Sequence, residues 1–473
     1  MLPTPKKYQL FPGVVLAGQT TKMTILPCEK AFLFPENEEY TLKIIQGDAD
    51  DSYYKPTSHA SLSVAAHNGV LRFDYLFCGE QDYTFRLQNA EGTLLGQFSV
   101  YSLHEDLYEL TPVKGDFHSH SYRSDGVVDP SAAVGHYREQ GFDCFALTDH
   151  NRFYPGEEIE ETSAGVDSEF FAIRGEEIHA PESTVHIVHI GGKESVTKRY
   201  TDDFDGFTRE TDEYLTRVPK EIPAAYAERY AKAMWAADYA HKAGGIVIFP
   251  HPFWRPGATK LNNVCTELAA ILLKSGIFDA YEVVGGMTQA ENNQSIAFWN
   301  DLRAEGLKIP VVGSSDVHAY EKSVHFPHIF TLCFVKERST AGVVEAIKGA
   351  NTVAIEATGT EYERQYRAYG SHRLVTYAQF LLRTYYHESS RLAVGEGVAL
   401  RAYAMGEADK ELVELNAKLA REYRLRFFGR MEPKLPSKEM LDWEERRREI
   451  HKKSPDTKGS RMVRLPGTPG RQI

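Results

Sequence analysis

The chain lacks the marks of a membrane-embedded or disulfide-stapled protein. None of its 473 residues belongs to an apolar run of about 18 or more, so no membrane-spanning helix is expected. The opening stretch "MLPTPKKYQLFPGVVLAG" has no long apolar segment, so no secretory leader is expected. Cysteine is scarce: Cys28, Cys78, Cys144, Cys265 and Cys333 are scattered, odd in number and never spaced as CxxC. That argues against a cysteine-ligated zinc and for a reducing compartment, read here as the cytoplasm. Net positive charge is also missing. The formal charge is −12, and residues 446–473 hold nine Lys/Arg against two Asp/Glu, so the rest of the chain is more acidic still. An acidic body speaks against nucleic-acid or membrane partners and leaves a small-molecule substrate. It permits a small anion site, because a bound cation reverses the local field. Nothing in the sequence sets the oligomeric state.

What is present is an ordinary globular composition, 42% apolar and 25% charged, over a length that suits about three domains. Residues 1–110 carry short β-rich runs ("KMTIL", "YTLKIIQ", "YTFRLQN") parted by turn-like groups, which predicts a small all-β sandwich. Across 111–357 apolar strands alternate with amphipathic helices, which predicts a parallel sheet covered by helices, open or closed into a barrel. In the helix candidate "YAERYAKAMWAADYAHKAG", Tyr230, Met234, Ala237 and His241 share a face. The polar stretch 193–222 is poorly periodic and reads as a surface loop, with a lid as the other reading. Residues 358–445 read as helical, and 446–473 as a basic, flexible tail.

The informative residues fall where apolar strands end. In "KGDFHSHSYRSDG", His118 and His120 are two apart and share a strand face, and Asp125 follows closely. "FALTDH" ends in Asp149 and His150. "GEEIHAPESTVHIVHIGG" offers Glu177 and His186, with Glu176, His179 and His189 as alternatives. "IVIFPHP" places His251 after a buried strand, and "VVGSSDVH" supplies Asp316 and His318. Any one of these has a structural reading as a cap or a satisfied core group. Together they put a histidine or carboxylate at five successive strand ends, and 12 of the 18 histidines lie between 118 and 328. Imidazole with carboxylate suits Zn, Mn or Fe, and in barrels that end of the strands carries the chemistry.

The series HxH…D…TDH…GxE…H…HP…SDxH resembles the PHP family, the metallohydrolase domain named for polymerases and histidinol phosphatase, over about 112–357. The resemblance implies a distorted (β/α)7 TIM-like barrel holding two or three divalent ions. It implies one ion on His118, His120, Glu177 and Asp316, a second on Glu177, His186 and His251, and a third on Asp125, His150 and His318. The GxE motif reads "GEE" here and Glu177 is its third residue. Asp125 stands where some members have histidine, which puts the third ion's strength in question.

A water between two such ions becomes an effective nucleophile near neutral pH, so no serine or cysteine nucleophile is required. His318 or Asp149 is placed to move a proton, and Asp149 alternatively to orient His150. Arg123, Arg152 and Arg255 lie near ligands in sequence and suit a phosphate; their structural alternative is pairing with acids such as Glu157 or Glu158. Lys193 is a weaker candidate, and Glu282 is a candidate substrate contact or ligand support. The expected activity is hydrolysis of a small phosphomonoester or phosphodiester. The alternatives are hydrolysis of a carboxylic ester, amide or carbamate with the same metals, and a non-catalytic metal-stabilised scaffold.

Overall fold

A computed structural model describes residues 6–50, 60–257, 260–359 and 364–453. The first strands are β1 (Tyr8–Phe11), β2 (Val14–Leu16), β3 (Thr20–Pro27), β4 (Glu39–Gln46), β5 (Ala60–His67), β6 (Val70–Leu76), β7 (Gln81–Gln88) and β8 (Leu94–Leu103). They form one sheet in the order β1-β3-β6-β5-β4-β7-β8-β2. β5 pairs with β4 over Ala60–Ala65 and with β6 at Ala66 and His67, so the sheet turns over at that strand. Alternation does the rest: β7 buries Gln81, Tyr83, Phe85 and Leu87 on one face. Phe73 of β6 meets Phe85 of β7 at 5.9 Å between ring centres, although the two strands are not neighbours in the sheet. The halves therefore face each other across an apolar layer.

The second sheet comprises β9 (Thr111–Asp116), β10 (Cys144–Leu147), β11 (Phe171–His179), β12 (His186–Ile190), β13 (Ile246–Phe249), β14 (Ala280–Val284), β15 (Val311–Gly313), β16 (Ile329–Val335), β17 (Thr352–Thr358) and β18 (Gln365–Tyr369), in the order β15-β14-β13-β12-β11-β10-β9-β16-β17-β18. β9, β10 and β11 run parallel, as do β13, β14 and β15. β12 is antiparallel to both its neighbours, and β16, β17 and β18 reverse in turn. The all-parallel expectation is corrected here. Only residues 180–185 join β11 to β12, too few for the crossover that parallel strands require.

The sheet curls until its edges nearly meet. Thr331 Oγ1 of β16 donates to the Gly313 carbonyl of β15 and accepts from its N–H, both at 2.9 Å. Just beyond β15, the Val317 carbonyl accepts from His120 N–H at 2.9 Å. Val113, Phe117, Ala146, Ile173, Val188, Ile248, Ala280 and Val312 fill the nearly closed barrel.

Several elements depart from expectation. Residues 193–222 are mainly helical, with helices Thr197–Asp202 and Phe204–Thr216. Tyr200, Phe207 and Tyr214 recur every seven residues in one apolar cluster, the first two against Trp235 and the third donating to Asp238 (2.7 Å). Helix Ala227–Lys242 buries Tyr230, Ala233, Ala237 and Ala240, leaving Met234 and His241 on its rim. Strand β18 precedes the helices of the C-terminal region. The basic stretch is helical up to residue 453, within helix Lys438–Lys453, where Arg448 donates to the Leu33 carbonyl of the β region. Residues 454–473, the rest of the expected tail, lie outside the described residues.

Helices Tyr385–Ala404 and Lys410–Phe427 brace the barrel from outside. Helix Pro130–Glu139 crosses the former so closely that a Cβ on Gly135 would sit 2.7 Å from the Gly397 carbonyl oxygen. Glu169, 7% exposed, accepts from Arg421 (2.7 Å) and Arg424 (2.8 Å). Burial pushes its carboxyl up, but Arg424 and Arg338, with Arg421, outweigh it and bring it down to about 2. A depressed carboxylate stabilises the fold above its unfolded value and loses that contribution as pH falls. Glu169→Gln should thus cost about 3 kcal/mol near pH 7. Urea melts at pH 7 and pH 3 check this, because the penalty should shrink at the lower pH.

Candidate metal centre

The barrel topology gathers the strand-end residues at one mouth. His118 and His120 follow β9, Asp149 and His150 follow β10, His251 follows β13, and Asp316 and His318 follow β15. Glu177 lies near the end of β11 and Glu282 within β14. Because β12 is reversed, His186 at its start reaches the same mouth. Period-two alternation settles the "GEE" ambiguity geometrically. Glu177 enters the barrel with His186, while Glu176 and His189 form a buried pair (3.1 Å) on the other face. There Glu176 also accepts from Ser195 Oγ (2.7 Å) and Val196 N–H (2.6 Å), which fastens the 193–222 segment to the barrel.

Glu177 is the hub. Its oxygens lie 3.3 Å from His118, 3.6 Å from His120, 2.7 Å from His150, 3.3 Å from His179, 3.0 Å from His186 and 3.2 Å from His251. Asp316 Oδ1 is 3.3 Å from His118 Nε2 and 3.0 Å from His120 Nε2. Asp125 is 3.4 Å from His150 Nε2 and 3.3 Å from His318 Nε2. These atoms form overlapping groups: His118–His120–Glu177, His118–His251–Asp316, Glu177–His186–His251, His150–Glu177–His179, and His120–Asp125–His150–His318, each with its donor atoms within 4.8 Å of one another.

The donor set fits divalent ions. His118 Nε2, His150 Nδ1, His179 Nε2 and Glu177 Oε2 are buried and without a hydrogen bond among the described residues, although His118, His150 and His179 all lie 2.7–3.3 Å from Glu177. Lone pairs so close yet not hydrogen-bonded aim at shared points between them, which is ligand geometry rather than pairing. His118 Nδ1 lies 3.1 Å from the Glu282 carboxylate, so it carries the proton and leaves Nε2 to the cluster. His318 Nδ1 donates to the Asp316 carbonyl (2.9 Å), which likewise frees Nε2 toward Asp125.

Burial pushes His118, His150 and His251 down, but neighbouring carboxylates, Glu177 among them in each case, outweigh it and raise all three. Burial pushes Glu177 and Asp316 up, but the surrounding histidines, His118 foremost, hold both well below the usual carboxylate range. Burial brings His186 down to about 4, a neutral imidazole as ligation requires. His251 (φ 27°), Asp316 (φ 49°) and Asn151 (φ 54°) adopt left-handed backbone conformations. Such strain, of order 1–3 kcal/mol each, persists only where the surroundings enforce it. Glu282→Gln should keep the fold and weaken metal retention by about 10- to 100-fold, measured by competition with a chromogenic chelator.

The other residues singled out from the sequence divide. Among the described residues Asp149 makes its hydrogen bonds to serines rather than to the His150 ring. It accepts from Ser121 N–H (2.8 Å), Ser121 Oγ (2.7 Å) and Ser124 Oγ (2.5 Å), and so holds the turn that carries Asp125. Arg123 takes its structural alternative and binds Glu158 at 3.0 Å. Arg255 donates to Asn262 (2.8 Å) and Gln294 (3.3 Å). Arg152 has no such partner among the described residues and lines a cavity. Among the neighbouring aromatic side chains, which belong to no candidate set above, Phe253 and Tyr320 are buried in the core, while half-exposed Trp254 lies 6.0 Å from the His251 ring. His179, named only as an alternative, joins the cluster. It stands two residues beyond Glu177 on the same strand face, and that spacing was the signal for it.

No family model and no curated protein matches the chain. Among solved structures it is similar to a two-domain protein from Bacteroides vulgatus containing a predicted PHP-like metal-dependent phosphoesterase. Identity is 23% and the TM-score 0.36, over 52% of this chain and 65% of that one, just under two thirds of its length. It is also similar to an amidohydrolase from Chromobacterium violaceum with bound sulfate and no metal, at 17% identity and TM-score 0.30, over 45% of this chain and 89% of that one. Overlaps of this size are partial, and the geometry of the site itself carries the functional reading. The fold and site define an α/β barrel protein with His/Glu/Asp clusters fit for divalent metals. No helix among the described residues is long and apolar enough to cross a membrane.

Proposed function

We propose that the protein is a metal-dependent phosphoesterase of PHP type, acting on a small phosphomonoester or phosphodiester in the cytoplasm. In this reading residues 111–357 are a distorted (β/α)7 barrel, the strands before it are a sandwich domain, and the helices after it are a bracing region. The observation that carries it is one fully buried carboxylate, Glu177, within 3.6 Å of six imidazoles.

His118, His120, Glu177 and Asp316 would hold one ion, Glu177, His186 and His251 a second, and Asp125, His150 and His318 a third, with Zn, Mn or Fe as the candidates. Bound ions supply Lewis acidity and an activated water. The chain supplies the rest. Glu177 ties neighbouring positions together, so the substrate oxygens meet a fixed array of charge. Glu282 holds the His118 ring, and Asp149 holds the turn bearing Asp125.

Turnover of p-nitrophenyl phosphate and bis(p-nitrophenyl) phosphate by metal-loaded protein, beside p-nitrophenyl acetate, tests the reading. Phosphate-ester hydrolysis that vanishes in His118→Ala is expected. Hydrolysis of the acetate alone would move the protein to the carbon-centred class.

A further inference from the structure

A cavity of about 910 Å3 lies against the loop that follows His150, and none of the proposed ligands lines it. One wall is the loop just after His150, with Asn151, Arg152, Phe153 and Tyr154. The other is the helical segment 193–210. The cavity is built rather than accidental. Asn151 Oδ1 accepts from Tyr200 OH of the helical wall (2.6 Å) and from His179 N–H at the metal cluster (2.8 Å), so one side chain ties wall to cluster. Glu176 latches the same wall through Ser195 and Val196.

Most charges lining the cavity are neutralised locally. Lys198 pairs with Asp202 (2.5 Å), Arg199 with Glu210 (3.3 Å), Glu157 with Arg174 (3.2 Å) and Asp203 with Arg209 (3.9 Å). Arg152 and Lys193 are left without a carboxylate partner among the described residues, opposed only by the neighbouring Glu194. Arg152 is two residues from His150, so its backbone lies within about 7 Å of that ligand's. Half-exposed Tyr154 adds a flat apolar surface.

We propose that this cavity is the leaving-group subsite, and that it selects phosphoesters whose leaving group carries its own anionic group, a carboxylate or second phosphate, held by Arg152 and Lys193. The inference rests on the phosphoesterase reading and adds to it a substrate class. An anion gripped there would orient the ester toward the cluster through the planar fork of Arg152, with the aromatic wall receiving the body of the leaving group.

The test compares phenyl phosphate with 4-carboxyphenyl phosphate and with the corresponding 1,4-bisphosphate. Wild type should favour both anionic esters by about 10-fold or more in kcat/KM. Arg152→Gln and Lys193→Gln should each remove most of that preference through KM, lowering kcat/KM for the anionic esters far more than for phenyl phosphate. Retained preference for one anionic ester only would identify whether carboxylate or phosphate is read. Turnover of all three esters at equal efficiency would overturn the subsite while sparing the phosphoesterase reading. Should none be hydrolysed, calorimetry of the same compounds decides: tighter binding of the anionic esters that Arg152→Gln abolishes supports the subsite, and equal binding ends it.

Discussion

Glu177→Gln should lower phosphatase turnover by at least about 1,000-fold, about 4 kcal/mol of transition-state stabilisation. One carboxylate lies within 3.6 Å of six imidazoles and belongs to three of the overlapping donor groups. The amide keeps the shape but loses the charge, and its NH2 turns a donor toward lone pairs that need a cation. Metal content by elemental analysis should fall by more than one ion per chain. Glu176→Gln is the matched control. That side chain is one residue away and equally buried, but it latches the 193–222 segment. Its loss should lower the melting temperature and leave metal content intact. Similar metal loss in both variants would refute the assignment of Glu177 as hub.

Removing the metal should be the largest single perturbation of the native state. Without cations, the mouth of the barrel confines Glu177, Asp316 and a ring of histidines in a buried volume, on backbone held in unfavourable conformations at His251 and Asp316. An ion present at about 1,000 times its dissociation constant contributes about 4 kcal/mol. For a domain of this size that is about 10 °C of melting temperature. Exhaustive chelation should therefore lower the first melting transition by about that amount and abolish turnover, and a divalent ion should restore both. An unchanged melting curve together with unchanged activity would leave the clusters without a metal.

Much of the site was legible because its residues interrupt apolar strands at their ends. "HSH", "TDH", "PHP" and "SDVH" each place a ligand-type side chain one or two positions past a buried run, and a barrel brings such ends together. Where two readings stood open, the choice depends on contacts that spacing does not encode. Arg123 finds Glu158 35 positions away, and Asp149 turns to Ser121 and Ser124 rather than to the ring beside it. The reversal of β12 was written in the short 180–185 connection but hidden by the repeating strand–helix pattern around it. The helices of 193–222 were masked by charges interleaved between Tyr200, Phe207 and Tyr214, and their partners Trp235 and Asp238 lie on another helix.

The clusters differ in their shelter from water, and that has a consequence for handling the protein. His118, His120 and Glu177 are fully enclosed, whereas the Asp125 side chain is 56% exposed and that of His318 36%. Cations on the rim would exchange with buffer quickly and those beneath slowly. Dialysed samples would then carry a fractional stoichiometry that drifts with washing time, and two preparations of identical sequence would differ in specific activity until the outer position is refilled.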